Sequence, residues 1–275
     1  MILFFFLLTI ESNQFLRLSP GVVSQGLGGA SVLIDEGLAV FHNPAYTDDM
    51  AFNVTLSRWL YSTNYLTCGG TYQDNMFGIS YLNYGRIQGY DATGNPTEVF
   101  TPYNLCVGIG RKYGPFGLAI KGFIERIDDL NLYGFCATVG AYLQYRAMKI
   151  GVKLDNLGKE FGENTSIPAF AAIGLEYGLT DDLGVLCELK APTLEVNTGI
   201  SYSYNNLTLL LGVKYLKPND LLIDSGGNFG AGDFSLTGGL TISVETYNVG
   251  YSIGYGHLSV SHQFSVTFVP GSADR

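Results

Sequence analysis

The sequence predicts an all-β protein, a transmembrane antiparallel β-barrel of about 14 strands with a short N-terminal plug segment. Three observations carry that expectation. Apolar and small polar residues alternate with period two in segment after segment. Short and long connections sort by count along the chain. The composition is rich in apolar residues and poor in charge.

The alternation is clearest near the C-terminus. Tyr247, Val249, Tyr251, Ile253 and Tyr255 oppose Asn248, Gly250, Ser252 and Gly254. In the next segment Leu258, Val260, Phe264, Val266 and Phe268 oppose Ser259, Ser261, Gln263, Ser265 and Thr267, with His262 alone breaking the apolar row. Between Tyr133 and Tyr145 an apolar face opposes Gly134, Cys136, Thr138, Gly140 and Gln144. Segments 169–179, 207–215 and 234–244 behave alike. Successive strand residues point to opposite faces, so each segment has one apolar face and one small, polar face. A soluble sheet would carry many Lys and Glu on the second face; Gly, Ser, Thr and Asn suit a crowded or polar lumen.

Strands are expected near 51–60, 64–73, 76–85, 99–111, 116–126, 132–145, 148–155, 167–179, 183–191, 195–204, 207–216, 233–244, 247–256 and 258–269. The even-numbered connections are all tight: Gln73–Asn75, Lys112–Pro115, Arg146–Ala147, Thr180–Asp182, Asn205–Asn206 and Glu245–Thr246. The long ones, Arg86–Glu98, Asn156–Ser166 and Lys217–Gly232, fall on odd counts. Short turns on one rim and longer loops on the other is the outer-membrane pattern, with the tight turns and both termini periplasmic.

Of the 275 residues 47% are hydrophobic and only 14% charged, with 36 Gly and 19 Tyr, whereas a soluble domain carries about 25% charged residues. No stretch approaches the roughly twenty apolar residues of a membrane helix. A closed barrel is the other structure that satisfies every backbone group in lipid. Tyr fits the two water–lipid interfaces and Gly the crowded lumen. The net charge of −9 argues against nucleic acid, whose binding rests on Lys and Arg at phosphates. Cys68, Cys106, Cys136 and Cys187 are widely spaced without a CxxC pair and read as small apolar fillers. No metal or cofactor is expected.

Residues 1–14, opening MILFFFLLTI, resemble the apolar core of an export signal without its basic flank. Residues 15–50 do not alternate and are expected to form the plug, 51–270 the barrel and 271–275 a short tail. Gly26, Gly28 and Gly29 lack the βαβ context of a phosphate-cradling loop. Within the strands, Lys121, Glu125, Lys149, Lys153, Glu176, Glu188, Lys190 and Lys214 all fall on the polar face. They are the candidate lumen-lining residues, since a lysine facing lipid costs about 2–4 kcal/mol near the bilayer midplane. They either line a ligand path or salt-bridge a filled lumen.

The segment FLRLSPGVVSQGLGGASVLIDEGLAVFHNPA resembles the N-terminal block of the PorV/PorQ family, related to the FadL-type transporters. The matching elements are Phe15–Leu16, Gly28–Ala30 and Asn43–Ala45. Gly78–Pro96, Gly151–Phe161 with Ile167–Pro168, and the closing element Ser261, His262 and Ser265 are also similar. The resemblance implies an outer-membrane protein of the type IX secretion system, with secretion-machinery proteins and outer-membrane lipid as partners. The FadL relationship implies instead a plugged barrel that passes hydrophobic or amphiphilic molecules, with such a ligand in its lumen.

No catalytic constellation is expected. His42, His257 and His262 lie far apart, and His42 is expected to hydrogen-bond within the plug. Ser261 and His262 are adjacent on a strand and so point to opposite faces. The acidic pairs Asp48–Asp49, Asp128–Asp129 and Asp181–Asp182 suit turns. The plug motif is Asn43, Pro44 and Ala45, with Pro44 fixing a sharp turn at the plug–barrel junction.

Overall fold

The computed structural model describes residues 14–47, 50–59, 62–91, 93–162, 166–217, 233–256 and 260–270. The segment expected to act as an export signal, up to residue 13, the tail 271–275, Asp48, Asp49, His257 and most of Lys217–Gly232 lie outside the described residues.

Among the described residues sixteen strands run in chain order: β1 (Met50–Arg58), β2 (Asn64–Tyr72), β3 (Asn75–Asn83), β4 (Ile87–Tyr90), β5 (Pro96–Phe100), β6 (Tyr103–Tyr113), β7 (Phe116–Ile127) and β8 (Leu130–Tyr145). They continue with β9 (Met148–Phe161), β10 (Phe170–Gly178), β11 (Leu183–Ala191), β12 (Glu195–Tyr204), β13 (Leu207–Leu216), β14 (Asp233–Val244), β15 (Tyr247–Tyr255) and β16 (Val260–Phe268). All except β4 and β5 form one closed barrel of fourteen antiparallel strands. Closure comes from β1 against β16, in register from Phe52↔Phe268 to Arg58↔His262. Closure leaves no sheet edge to pair with another chain or to stand unsatisfied in lipid.

The alternation explains the barrel's polarity. Val54, Leu56, Ile109, Phe116, Ile120 and Leu143 stand exposed on the outside, while Asn53, Thr55, Thr67, Ser80 and Asn104 are buried inside. That is the reverse of a soluble barrel and the arrangement lipid requires. Tyr72, Tyr113, Tyr145, Tyr204 and Tyr247 are exposed next to the tight turns, and Tyr133, Phe161, Phe234 and Tyr255 toward the opposite rim. These are the two aromatic girdles of a spanning barrel. Barrel strands of nine to sixteen residues exceed or match the roughly 9–11 needed to cross. The barrel is therefore of the bacterial outer-membrane type, and the bilayer it crosses is the outer membrane.

The tight turns take a left-handed first residue: Gln73, Arg146, Asn205 and Glu245 have φ between 51° and 55°. Such turns match the right-handed twist of paired strands. Three expectations are corrected. Strand 148–155 continues to Phe161, because a bulge sets Ala137↔Leu157 and Val139↔Leu154, with Asn156 at φ 56°. The connection Arg86–Glu98 holds a hairpin, β4 with β5, so the strand expected from 99 starts at Tyr103. On the long-loop rim, two connections are short, Asp128–Asp129 and Pro192–Leu194.

Segment 14–47 lies against the inward face, with a 3-10 turn (Gln14–Arg17), one short helix α1 (Val22–Gly26) and irregular backbone. The wall opposite it is glycine. A side chain at Gly212 would strike Gly28, at Gly151 Val32, at Gly78 Val40 and Phe41, at Gly140 Asn43 and at Gly117 Pro44. The high glycine content thus lets an irregular backbone pack directly on strand backbone.

Candidate functional site: the plugged lumen

Two ionic clusters, one on β7–β9 and one on β11–β13, line the inner wall and hold the segment 14–47. In the first, Asp155 accepts from Lys121 Nζ at 2.8 Å, Lys153 Nζ at 2.9 Å and Thr138 Oγ1 at 2.6 Å. Lys121 also donates to Asn156 Oδ1 at 2.7 Å, and Lys153 to the carbonyl of His42 at 3.1 Å. The β8–β9 bulge produces this cluster, because it turns two consecutive residues, Asp155 and Asn156, inward.

In the second cluster, the Glu188 carboxylate accepts from the backbone N–H groups of Ser31 and Val32, both at 2.7 Å. Lys190 donates to Glu195 at 2.7 Å and to the carbonyl of Gly29 at 3.1 Å. Lys214 reaches Glu195 at 3.2 Å, and Asn197 donates to both Glu195 and the Gly29 carbonyl. The Phe170 ring joins the clusters, with Lys153, Lys190 and Arg17 at 5.1, 5.7 and 5.7 Å from its centroid. Buried charges persist only when paired and fully hydrogen-bonded, and here plug carbonyls and amides complete the bonding.

Of the sequence candidates, Lys121, Glu125, Lys153, Glu188 and Lys190 are buried. Lys149 and Glu176 pair at 2.8 Å and are partly exposed, as is Lys214. Asp155, Asn156, Glu195 and Asn197 were missed by the sequence reading and supply the partners. Their signal was legible for Asp155 and Glu195, which share the inward phase with Lys153 and Asn197.

Asn43 is fully buried; its Nδ2 donates to the Val32 carbonyl at 3.0 Å, and its Oδ1 accepts from Ala45 N–H at 3.0 Å. Pro44 occupies a turn closed by Tyr46 N–H to the Asn43 carbonyl at 2.9 Å. His42 Nε2 lies 2.8 Å from Glu36 Oε1, and Glu36 Oε2 accepts from Val23 N–H at the start of α1. Ser261 accepts from Gln25 inside the barrel, while His262 meets Tyr251 Oη outside at 2.7 Å. That pair is not a dyad.

The helix α1 and the turn after it divide two cavities. One, of about 550 Å³ at the tight-turn end, is lined by Val23, Leu27, Leu33, Leu186 and Leu210, with Asp35, Tyr46, Lys112, Tyr142, Lys149 and Glu176 among its polar groups. The other, of about 250 Å³ on the long-loop side, is lined by Gln25, Gly28, Trp59, Lys214 and Tyr255. Val23 and Leu27 thus face one chamber while Gln25 and Gly28 face the other. In the larger chamber the Tyr46 and Tyr142 rings lie 4.7 Å apart, and Lys149 donates to Tyr46 Oη at 3.1 Å. Burial pushes the Tyr46 phenol up to about 12, so it stays neutral. The lining is mixed and mainly polar, an aliphatic patch facing charged and hydroxyl groups that include Asp35 and Lys112, a surface suited to an amphiphile more than to a purely apolar molecule.

Solved structures share this architecture. The Pseudomonas putida toluene transporter TodX matches with a TM-score of 0.65 at 13% identity, over 90% of this chain and 98% of that one. The CymD monoaromatic hydrocarbon channel matches with a TM-score of 0.58 at 12% identity, over 91% and 96%. No protein-family model matches the sequence, and no curated protein matches it either. At these identities the likeness establishes the fold, an outer-membrane β-barrel.

Proposed function

We propose that this protein is a plugged conduit for hydrophobic or amphiphilic small molecules across the outer membrane. The observation that carries the reading is the pair of chambers toward opposite ends of one lumen, with α1 and the turn that follows it lining both. Passage then requires that short segment to shift, not the whole plug. The ionic clusters anchor the plug around residues 29–32 and at His42, and α1 lies beside these anchors. The proteins similar in fold include a toluene transporter and a monoaromatic hydrocarbon channel, which supports the same reading. They leave the secretion-associated role implied by the PorV/PorQ resemblance without a second observation.

The test is occupancy of the larger chamber. Gly184 lines it, and a Cβ there would meet only the Ser201 hydroxyl. Gly184→Phe therefore places an aromatic ring in the chamber, with the Ser201 hydroxyl, 2.9 Å from the added Cβ, shifting to admit it. A fluorescent naphthalene amphiphile should bind the purified wild type, and its affinity should fall at least tenfold in Gly184→Phe. Equal affinity in both would remove the chamber from the account.

A further inference from the structure

The lipid-facing side of the barrel carries a polar site that the conduit does not use. Near the long-loop rim, β16, β1, β2 and β3 set His262, Arg58, Asn64 and Asn83 in one cross-strand row, through the pairings Arg58↔His262, Arg58↔Asn64 and Asn64↔Asn83. All four share the outward phase of Leu56, Leu66 and Phe264. A groove of about 330 Å³ runs beneath the row, and Leu56, Leu66 and Phe264 form its apolar surface.

The row is cationic and uncompensated. Arg58 makes no ion pair or hydrogen bond with the described residues, and no carboxylate lines the groove. The flanking segments 60–61 and 257–259 hold Leu, Tyr, His, Leu and Ser, so they add none. Other rim arginines are covered differently: Arg111 and Arg146 lie over Tyr113 and Tyr145, and Arg126 donates to the Asp128 carbonyl. His262 is oriented by Tyr251, whose hydroxyl lies 2.7 Å from Nδ1. With the tyrosine donating, the ring proton sits on Nε2, away from Tyr251. Guanidinium and imidazole donors over an apolar groove match a phosphate with acyl chains below it.

We propose that this site binds the phosphate-bearing headgroup of an anionic outer-leaflet lipid. Arg58, His262 Nε2 and Asn64 hold the phosphate, and one acyl chain lies along Leu56, Leu66 and Phe264. The choice of a lipid over a free anion rests on the groove, which faces the bilayer and has no use for a soluble ion.

The full-length protein, delipidated in neutral detergent, is mixed with diphosphoryl lipid A or phosphatidylcholine and examined by native mass spectrometry. Wild type should retain one lipid A per chain and at least tenfold less phosphatidylcholine. Arg58→Leu/His262→Phe, apolar changes suited to a lipid face, should lose that retention tenfold or more. A folded barrel is verified by heat-dependent gel migration, and Arg58→Gln alone serves if the double variant does not assemble. Undiminished retention in a folded variant would overturn the proposal. Displacement of lipid A by millimolar inorganic phosphate would make the site a free-anion site and overturn the lipid assignment. Gly184→Phe should leave retention unchanged, so this site and the conduit fail separately.

Discussion

Asp155 shows how much depends on one buried carboxylate. It faces two lysines at 2.8 and 2.9 Å, and both it and they are nearly inaccessible to water. Asp155→Asn leaves Lys121 and Lys153 short of a counter-charge, and breaking such a pair costs about 3–5 kcal/mol. The partly exposed pair Lys149–Glu176 is screened, so Glu176→Gln should cost only about 0–1 kcal/mol. Urea unfolding in lipid vesicles compares the two, and equal losses would contradict the ranking. Asp91 gives a pH signature outside the membrane. Its carboxylate accepts from Thr93 and Asn95, and these bonds lower it from 3.8 to about 2. Because the folded value is depressed, the stabilisation of the β4–β5 turn is complete above pH 3.8 and is lost as pH falls through about 2. Amide shifts of Thr93 and Asn95 should therefore titrate near pH 2, and titration near 3.8 would show the bonds absent.

Among the elements, the plug and its glycine track are the most demanding match. Gly140 lies against Asn43, and Gly117 against the Pro44 carbonyl. Gly140→Val should prevent the plug from seating, and Pro44→Ala should weaken the turn closed by Tyr46 N–H. Both are expected to lower the yield of assembled barrel while leaving ligand affinity of the assembled fraction near wild type. The heat-dependent gel shift measures the first and probe titration the second; normal assembly of Pro44→Ala with lost binding would reverse the assignment. The strands themselves were legible, since one-in, one-out patterning must persist wherever one face meets lipid and the other does not. The β8–β9 bulge was not. Its trace is that Leu154 and Leu157, both exposed, are three residues apart instead of two, which a strict alternation reads as the end of a strand. The hairpin in the long loop was missed because four- and five-residue strands carry too little pattern to stand out.

For the whole molecule, the loop sorting and low charge anticipated a closed barrel with polarity reversed from a soluble fold. Alternation put the eight candidate charges on the polar face of their strands, and five of them are buried, but their partners were not legible. Several of those partners are carbonyls and amides of an irregular segment, such as the Gly29 and His42 carbonyls, whose path no periodicity encodes. The same holds for the two chambers, which exist only because α1 sits where it does. Transport through the lumen is therefore the property to measure. The most direct measurement is the initial rate of uptake of a radiolabelled monoaromatic hydrocarbon, and of a medium-chain fatty acid, by cells that lack their own hydrophobic-uptake channels. Wild type should raise the rate of at least one several-fold over cells without the protein, and Gly184→Phe at equal surface level should return it to background. Uptake of neither compound above background, or uptake unchanged by the ring placed in the chamber, would contradict the conduit.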